Sequence, residues 1–180
     1  MFKWLNRHPS EENRKLLLRI SPIFLIIMFV LVQIAFFISN YPVFFVESQL
    51  SFSGETIKGH FAQMDEWELT LYAFAQIVDF FFMLAYGSFF FSIALTISRK
   101  FVETSRMRSV GNFGVIIAIL APICDAIENI FIFLMLLNPN GFPNAFAIAH
   151  SVFSSFKFAS MIIGFSILIY LVIQSKKRST

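Results

Sequence analysis

Four long apolar runs, separated by short polar stretches, set the pattern of this chain. The first extends from about Leu18 to Ser39, and its ~22 residues give ~33 Å of helix, enough to cross a hydrocarbon core. The second, from about Glu66 to Ser98, is longer than a bilayer is thick, so it is expected to tilt or protrude. The third runs from about Phe113 to Leu137 and the fourth from about Asn144 to Gln174. Residues 40–65, 99–112 and 138–143 connect them. The pattern predicts an all-α polytopic membrane protein, a four-helix transmembrane bundle in one domain spanning residues 1–180.

Local signals sharpen the ends. Pro9-Ser10-Glu11-Glu12 reads as a helix start with Ser10 as N-cap. Asp65-Glu66-Trp67-Glu68 fits a capping box, with Met64 and Leu69 placed for a hydrophobic staple. In the long loop, Ile57, Phe61 and Met64 recur at helical spacing. They predict a short amphipathic helix over residues 54–64, either interfacial on the membrane or packed as an ordinary loop helix. Pro22 falls near the start of the first run, where proline is tolerated. Phe2, Trp4 and Leu5 are placed to rest at headgroup level. The first apolar run is too long for the core of a secretory signal peptide.

Composition removes other classes. The chain is 57% hydrophobic and only 14% charged, with 26 phenylalanines, which excludes a soluble domain. Its net charge of +3 does not point to nucleic acid, because the basic residues flank the apolar runs. The tail with Arg19 at the head of the first run, the 99–112 loop and the C-terminal Lys176-Lys177-Arg178 hold 12 of the 14 Lys and Arg, leaving Lys58 and Lys157. The positive-inside rule then places both termini in the cytoplasm and residues 40–65 and 138–144 outside the cell membrane. One cysteine, Cys124, permits no intrachain disulfide and no multi-cysteine metal site; it reads as a small core residue.

The informative residues are the charges inside the runs. Asp125, Glu128 and Asn129 stand at i, i+3, i+4 and share one helix face. A carboxylate at bilayer depth costs roughly 2.5–3.5 kcal/mol, so it must face protein or trapped water. Asp79 lies ~15 Å into its run, and Asp125 and Lys157 each lie ~18 Å into theirs, all near the midplane. These three helices are expected to meet there, with Lys157 bridging Asp79 and Asp125 or Glu128. Gln76 and Tyr86 share a face with Asp79, and His150 and Ser154 share one with Lys157. Three ionised carboxyls around one ammonium leave net negative charge in a low dielectric. One acid is therefore expected to hold a proton near neutral pH.

Three function classes accommodate such a cluster. In a carrier, midplane ionisable groups bind protons and a small substrate, and with four spans this requires a homo-oligomer. In an intramembrane enzyme or a receptor for a lipid-like ligand, paired carboxyls serve as acid and base beside Lys157, and aromatic walls suit an acyl, sterol or isoprenoid chain. In a structural subunit, the cluster only orders the bundle. No metal is expected, because there is no His-rich cluster and Asp79, Asp125, Glu128 and His150 would have to converge on one point. A bis-histidine haem is excluded within one chain, since only His150 lies inside a run. The residues name neither a catalytic group nor a cofactor, and the expected partners are membrane lipids.

The ordered set Phe52-Ser53-Gly54-Glu55, Leu71-Tyr72, Asp79-Phe80 with Tyr86-Gly87, Asp125-x-x-Glu128-Asn129 and Ser154-x-x-Lys157 resembles a family of small prokaryotic four-span integral membrane proteins. The resemblance covers nearly the whole chain, with Ser154 where threonine is usual. It implies that the acid and lysine positions belong together. It implies no activity, substrate or cofactor.

Overall fold

The computed structural model describes residues 3–177; Phe2 and Arg178 lie outside the described residues. Those residues form seven helices: α1 (Lys3–Arg7), α2 (Glu11–Ile38), α3 (Phe45–Gln49), α4 (Gly54–Phe61), α5 (Glu66–Ser98), α6 (Arg106–Leu136) and α7 (Asn144–Lys177). The fold is all-α. Helices α2, α5, α6 and α7 are each long and apolar enough to cross a membrane. At 1.5 Å per residue, the 28 to 34 residues of these helices make rods of roughly 42–51 Å, longer than a ~30 Å hydrocarbon core. The third span begins earlier than its apolar run, because the helix already includes Arg106–Asn112, where Arg106, Arg108, Ser109 and Asn112 interrupt the apolar pattern.

Burial runs opposite to that of a water-soluble protein. Phe37, Leu84, Phe156 and Ile162 are exposed, while Gln76, Glu128, His150 and Lys157 are buried. That pattern suits a lipid solvent, in which an outward isoleucine costs nothing and a polar group must find protein.

The chain divides into two compact units, and each long helix contributes residues to both. One unit holds the residues up to Leu25, Leu84–Pro122, and those from Phe158 onward. Its core gathers Leu5, Ala94, Leu95 and Val115. Ser21 Oγ and Ser92 Oγ meet at 3.2 Å, and Ser98 Oγ donates to Asn112 Oδ1 at 2.8 Å. Arg99 donates to the carbonyls of Leu5 at 3.0 Å and Pro9 at 2.8 Å, fixing the N-terminal segment. Burial lowers the pKa of Arg99, with the neighbouring Arg14 adding to the effect. Gly87 approaches the ring of Pro122 so closely that a Cβ there would lie 2.9 Å from Pro122 Cγ. Two helices come together where one has no side chain and the other has a helix-interior proline.

The other unit holds Ile26–Met83 and Ile123–Lys157. Its core contains Ile57, Phe61, Met64, Tyr72, Ile132, Met135 and Phe142. The apolar face of α4 is therefore spent inside the protein. Ser53 caps α4 by accepting from Thr56 N at 3.3 Å. Asn144 Oδ1 accepts from Gly54 N at 2.6 Å, and a Cβ on Gly54 would meet Asn144 Oδ1 at 2.9 Å. The capping box forms reciprocally, Glu68 N to Asp65 Oδ1 at 2.8 Å and Asp65 N to Glu68 Oε2 at 3.0 Å. Met64 and Leu69 join the same cluster, as a staple requires. Ser10 Oγ accepts from Asn13 N at 3.3 Å at the head of α2.

Candidate functional site

The polar residues of the second unit converge from four elements. Helix α5 brings Gln76 and Asp79, α6 brings Asp125, Glu128 and Asn129, α7 brings His150, Ser154 and Lys157, and α3 brings Gln49. The i, i+3, i+4 spacing on α6 turns its two acids and its amide to one side, as helix geometry dictates.

Lys157 is the hub. Its Nζ donates to Asp125 Oδ1 at 2.8 Å and lies 2.6 Å from Glu128 Oε2. Glu128 has no exposed surface. Its other oxygen, Oε1, accepts from Gln49 Nε2 at 2.7 Å and lies 3.6 Å from His150 Nε2. His150 is 2% exposed, and its Nδ1 has no hydrogen-bond partner among the described residues. Asn129 Nδ2 donates to Asp79 Oδ2 at 2.8 Å. Ser154 Oγ donates to the His150 carbonyl one turn back, at 3.0 Å, which is the usual resting bond of a helix serine.

The expected bridge is thus corrected in one respect. Lys157 joins Asp125 to Glu128, both on α6, and Asp79 is held by Asn129. The amide one residue beyond Glu128 carries the link to α5 that the sequence assigned to the ammonium. Gln76 is buried in the same unit. Tyr86 belongs to the other unit, where it lines a narrow apolar cleft with Phe90, Ile117, Met161 and Phe165.

Gln49 is the participant that sequence reasoning missed. It sits at the end of a five-residue helix in the long loop, where a glutamine reads as ordinary surface. A signal was present nonetheless. Tyr41-Pro42-Val43-Phe44-Phe45-Val46 is apolar for a solvated loop, and such a run must pack or meet lipid. Phe36, Tyr41, Phe45 and Tyr72 form a chain of ring contacts, Tyr41 stacking on Tyr72 at 4.5 Å and Phe36 meeting Phe45 at 4.4 Å. The loop is pinned beyond Gln49, where Phe52 N donates to Ser151 Oγ at 3.0 Å. Phe52 itself adopts φ 51°, a conformation a bulky residue takes only when its surroundings hold it there.

Chemically, the cluster is a shared-ammonium carboxylate pair closed to water. It has a surplus of acids over bases and one histidine ring nitrogen unpartnered. Such an arrangement suits taking up a cation or a proton. Among the described residues no group of three or more His, Cys, Asp and Glu is arranged to hold a metal. No family model, curated protein or solved structure matches this chain.

Proposed function

We propose that this chain is a multi-pass protein of the cell membrane, with both termini cytoplasmic, that binds or moves a small or lipid-like ligand at its buried acid–lysine cluster. The observation that carries the reading is Glu128. A carboxyl with no exposed surface is ligated at once by Lys157 and by Gln49, a side chain from a loop. A cluster serving only to order helices has no use for a loop residue inserted at its centre. The aromatic residues beside the loop offer an apolar wall for a ligand's tail. The acid and lysine positions act as one site, as the resemblance drawn from the motifs implies.

A structural reading has its own support, since Asn129–Asp79 ties α6 to α5 and Lys157 ties α7 to α6. Native mass spectrometry of protein released gently from membranes separates the two. A defined small molecule that co-purifies with the wild type and is lost in a folded Lys157→Met or Asp79→Asn variant supports the binding reading. A bare protein whose oligomer collapses in either variant sinks it and leaves the structural role.

A further inference from the structure

Glu128 divides its two oxygens unequally. Oε2 faces Lys157, which belongs to a long helix, whereas Oε1 is occupied by Gln49 Nε2 from a five-residue helix. Gln49 is thus a ligand of Glu128 carried by a loop and not by a spanning helix. It contributes a single N–H to a buried carboxylate. Anything that displaces it must supply an equivalent donor, because an unsatisfied buried oxygen costs about 1–3 kcal/mol.

Charge narrows the class. Three acids, Asp79, Asp125 and Glu128, lie in this unit beside one buried lysine: Lys157 pairs with Asp125 and Glu128, while the half-buried Asp79 is held by Asn129. A donor that carries positive charge compensates this surplus, and a neutral or anionic donor does not. His150 adds a second unsatisfied demand, a buried ring nitrogen without a partner in the cluster. Beside α3 an open concavity is lined by the apolar and aromatic residues Ile34, Phe36, Phe37, Tyr41, Phe44 and Phe45, together with Gln33, Asn40 and Glu47. A chain of methylenes can lie along its aromatic residues and bury apolar surface there.

From these observations we infer that the ligand is an amphiphilic amine. Its ammonium N–H replaces the Gln49 amide on Glu128, and its aliphatic tail lies along the aromatic residues of the α2–α3 concavity. Gln49 acts as a built-in stand-in for that head group. The inference rests on the binding reading above and adds the ligand's class and the residue that it displaces.

The test uses the full chain in lipid nanodiscs and a twelve-carbon primary amine with a tail diazirine. After photolysis, labelled peptides are read by mass spectrometry in competition with dodecylamine, dodecyltrimethylammonium, dodecanol and dodecanoic acid. The expected result is labelling within residues 33–47, competed by dodecylamine at least about tenfold better than by the other three. Dodecyltrimethylammonium carries the charge without an N–H, so it isolates the donor. Removing the stand-in with Gln49→Ala should improve dodecylamine competition by about tenfold, the value of one charge-assisted bond. An unchanged potency in Gln49→Ala overturns the displacement. Equal competition by dodecyltrimethylammonium overturns the requirement for a donor. Preferential competition by dodecanol or dodecanoic acid overturns the amine while leaving a ligand site in place. Absence of labelling in this segment overturns the inference as a whole. A non-amine molecule found by native mass spectrometry would then still uphold the binding reading. The Gln49 variant removes one N–H from Glu128 and leaves the contacts of Lys157 with Asp125 and Glu128 in place, so the result does not depend on a variant of the charged groups that fails to fold.

Discussion

Replacing Lys157 with methionine keeps the length of the side chain and deletes its ammonium. Lys157 is buried and bridges carboxylates at 2.8 and 2.6 Å, so the variant strands Asp125 and Glu128 without their cation. Removing one partner of a buried pair costs about 3–5 kcal/mol. At about 1.36 kcal/mol per factor of ten, the equilibrium for opening rises roughly 150- to 5,000-fold. The chain carries its own reporter, since Cys124 is the one cysteine, is buried, and precedes Asp125. The rate of its modification by a maleimide, measured across a series of sodium dodecyl sulfate fractions in a mild detergent, reads that equilibrium. Glu128→Gln alone leaves the Lys157–Asp125 pair and should cost about 1–3 kcal/mol. The double variant Lys157→Met/Glu128→Gln has one stranded acid fewer, so its cost should fall short of the sum by about 0.5–3 kcal/mol. Labelling of Lys157→Met within threefold of the wild type, or strict additivity in the double variant, would refute the view that these charges compensate one another.

Other consequences follow from single contacts. Gly54→Ala forces a Cβ against Asn144, whose backbone Cα would lie 3.2 Å away and cannot yield as a flexible side chain does. It should cost about 1–3 kcal/mol and appear as faster proteolysis between residues 50 and 62. Arg99→Ala releases the Leu5 and Pro9 carbonyls; bonds to a charged donor are worth about 1.5–3 kcal/mol. Amide exchange over residues 5–10 should therefore quicken by about tenfold or more. Burial pushes the Tyr41 phenol up to about 12, its hydroxyl being held by Ser48 at 2.6 Å. The fold thus keeps a proton that the unfolded chain gives up near 10. Stability should be full below pH 10 and fall as the pH rises through about 12. The phenolate absorbance difference between the wild type and Tyr41→Phe should show no titration at pH 11.

The helices were legible because lipid imposes a strict grammar on the chain. An apolar run of twenty residues must be helical, and a charge inside it must find a partner, so Asp125, Glu128 and Lys157 announced their meeting. The cap at Ser10 and the box at Asp65–Glu68 were equally readable, being local. Rotation about each helix axis was not. The spacing places Asn129 one position from Glu128, but only packing decides that Asn129, rather than Lys157, meets Asp79. Periodicity on α4 marked an apolar face without saying whether protein or lipid would cover it; Phe142 and Met135 cover it. The early start of α6 was hidden because Arg106, Arg108, Ser109 and Asn112 break the apolar run, and a helix that leaves the membrane no longer needs apolar residues. The apolar run before Gln49 signalled packing of the loop, but the role of Gln49 itself was hidden for the opposite reason. Nothing in a loop glutamine distinguishes an amide in water from one inserted into a buried carboxylate.

The contact between Gly87 and Pro122 carries a historical implication. The two positions lie 35 residues apart, yet they share one volume, the ring of one filling the space that the absent side chain of the other leaves. Neither can drift alone. A descendant that acquires alanine at 87 meets the proline ring at once, whereas one that has first lost the proline gains a methyl group for packing. The order of events is therefore constrained: replacement at 122 opens the way for replacement at 87, and the reverse path passes through a strained intermediate. Related chains should consequently carry glycine with proline, or neither, and the mixed state with a larger residue at 87 and proline at 122 should be the rare one.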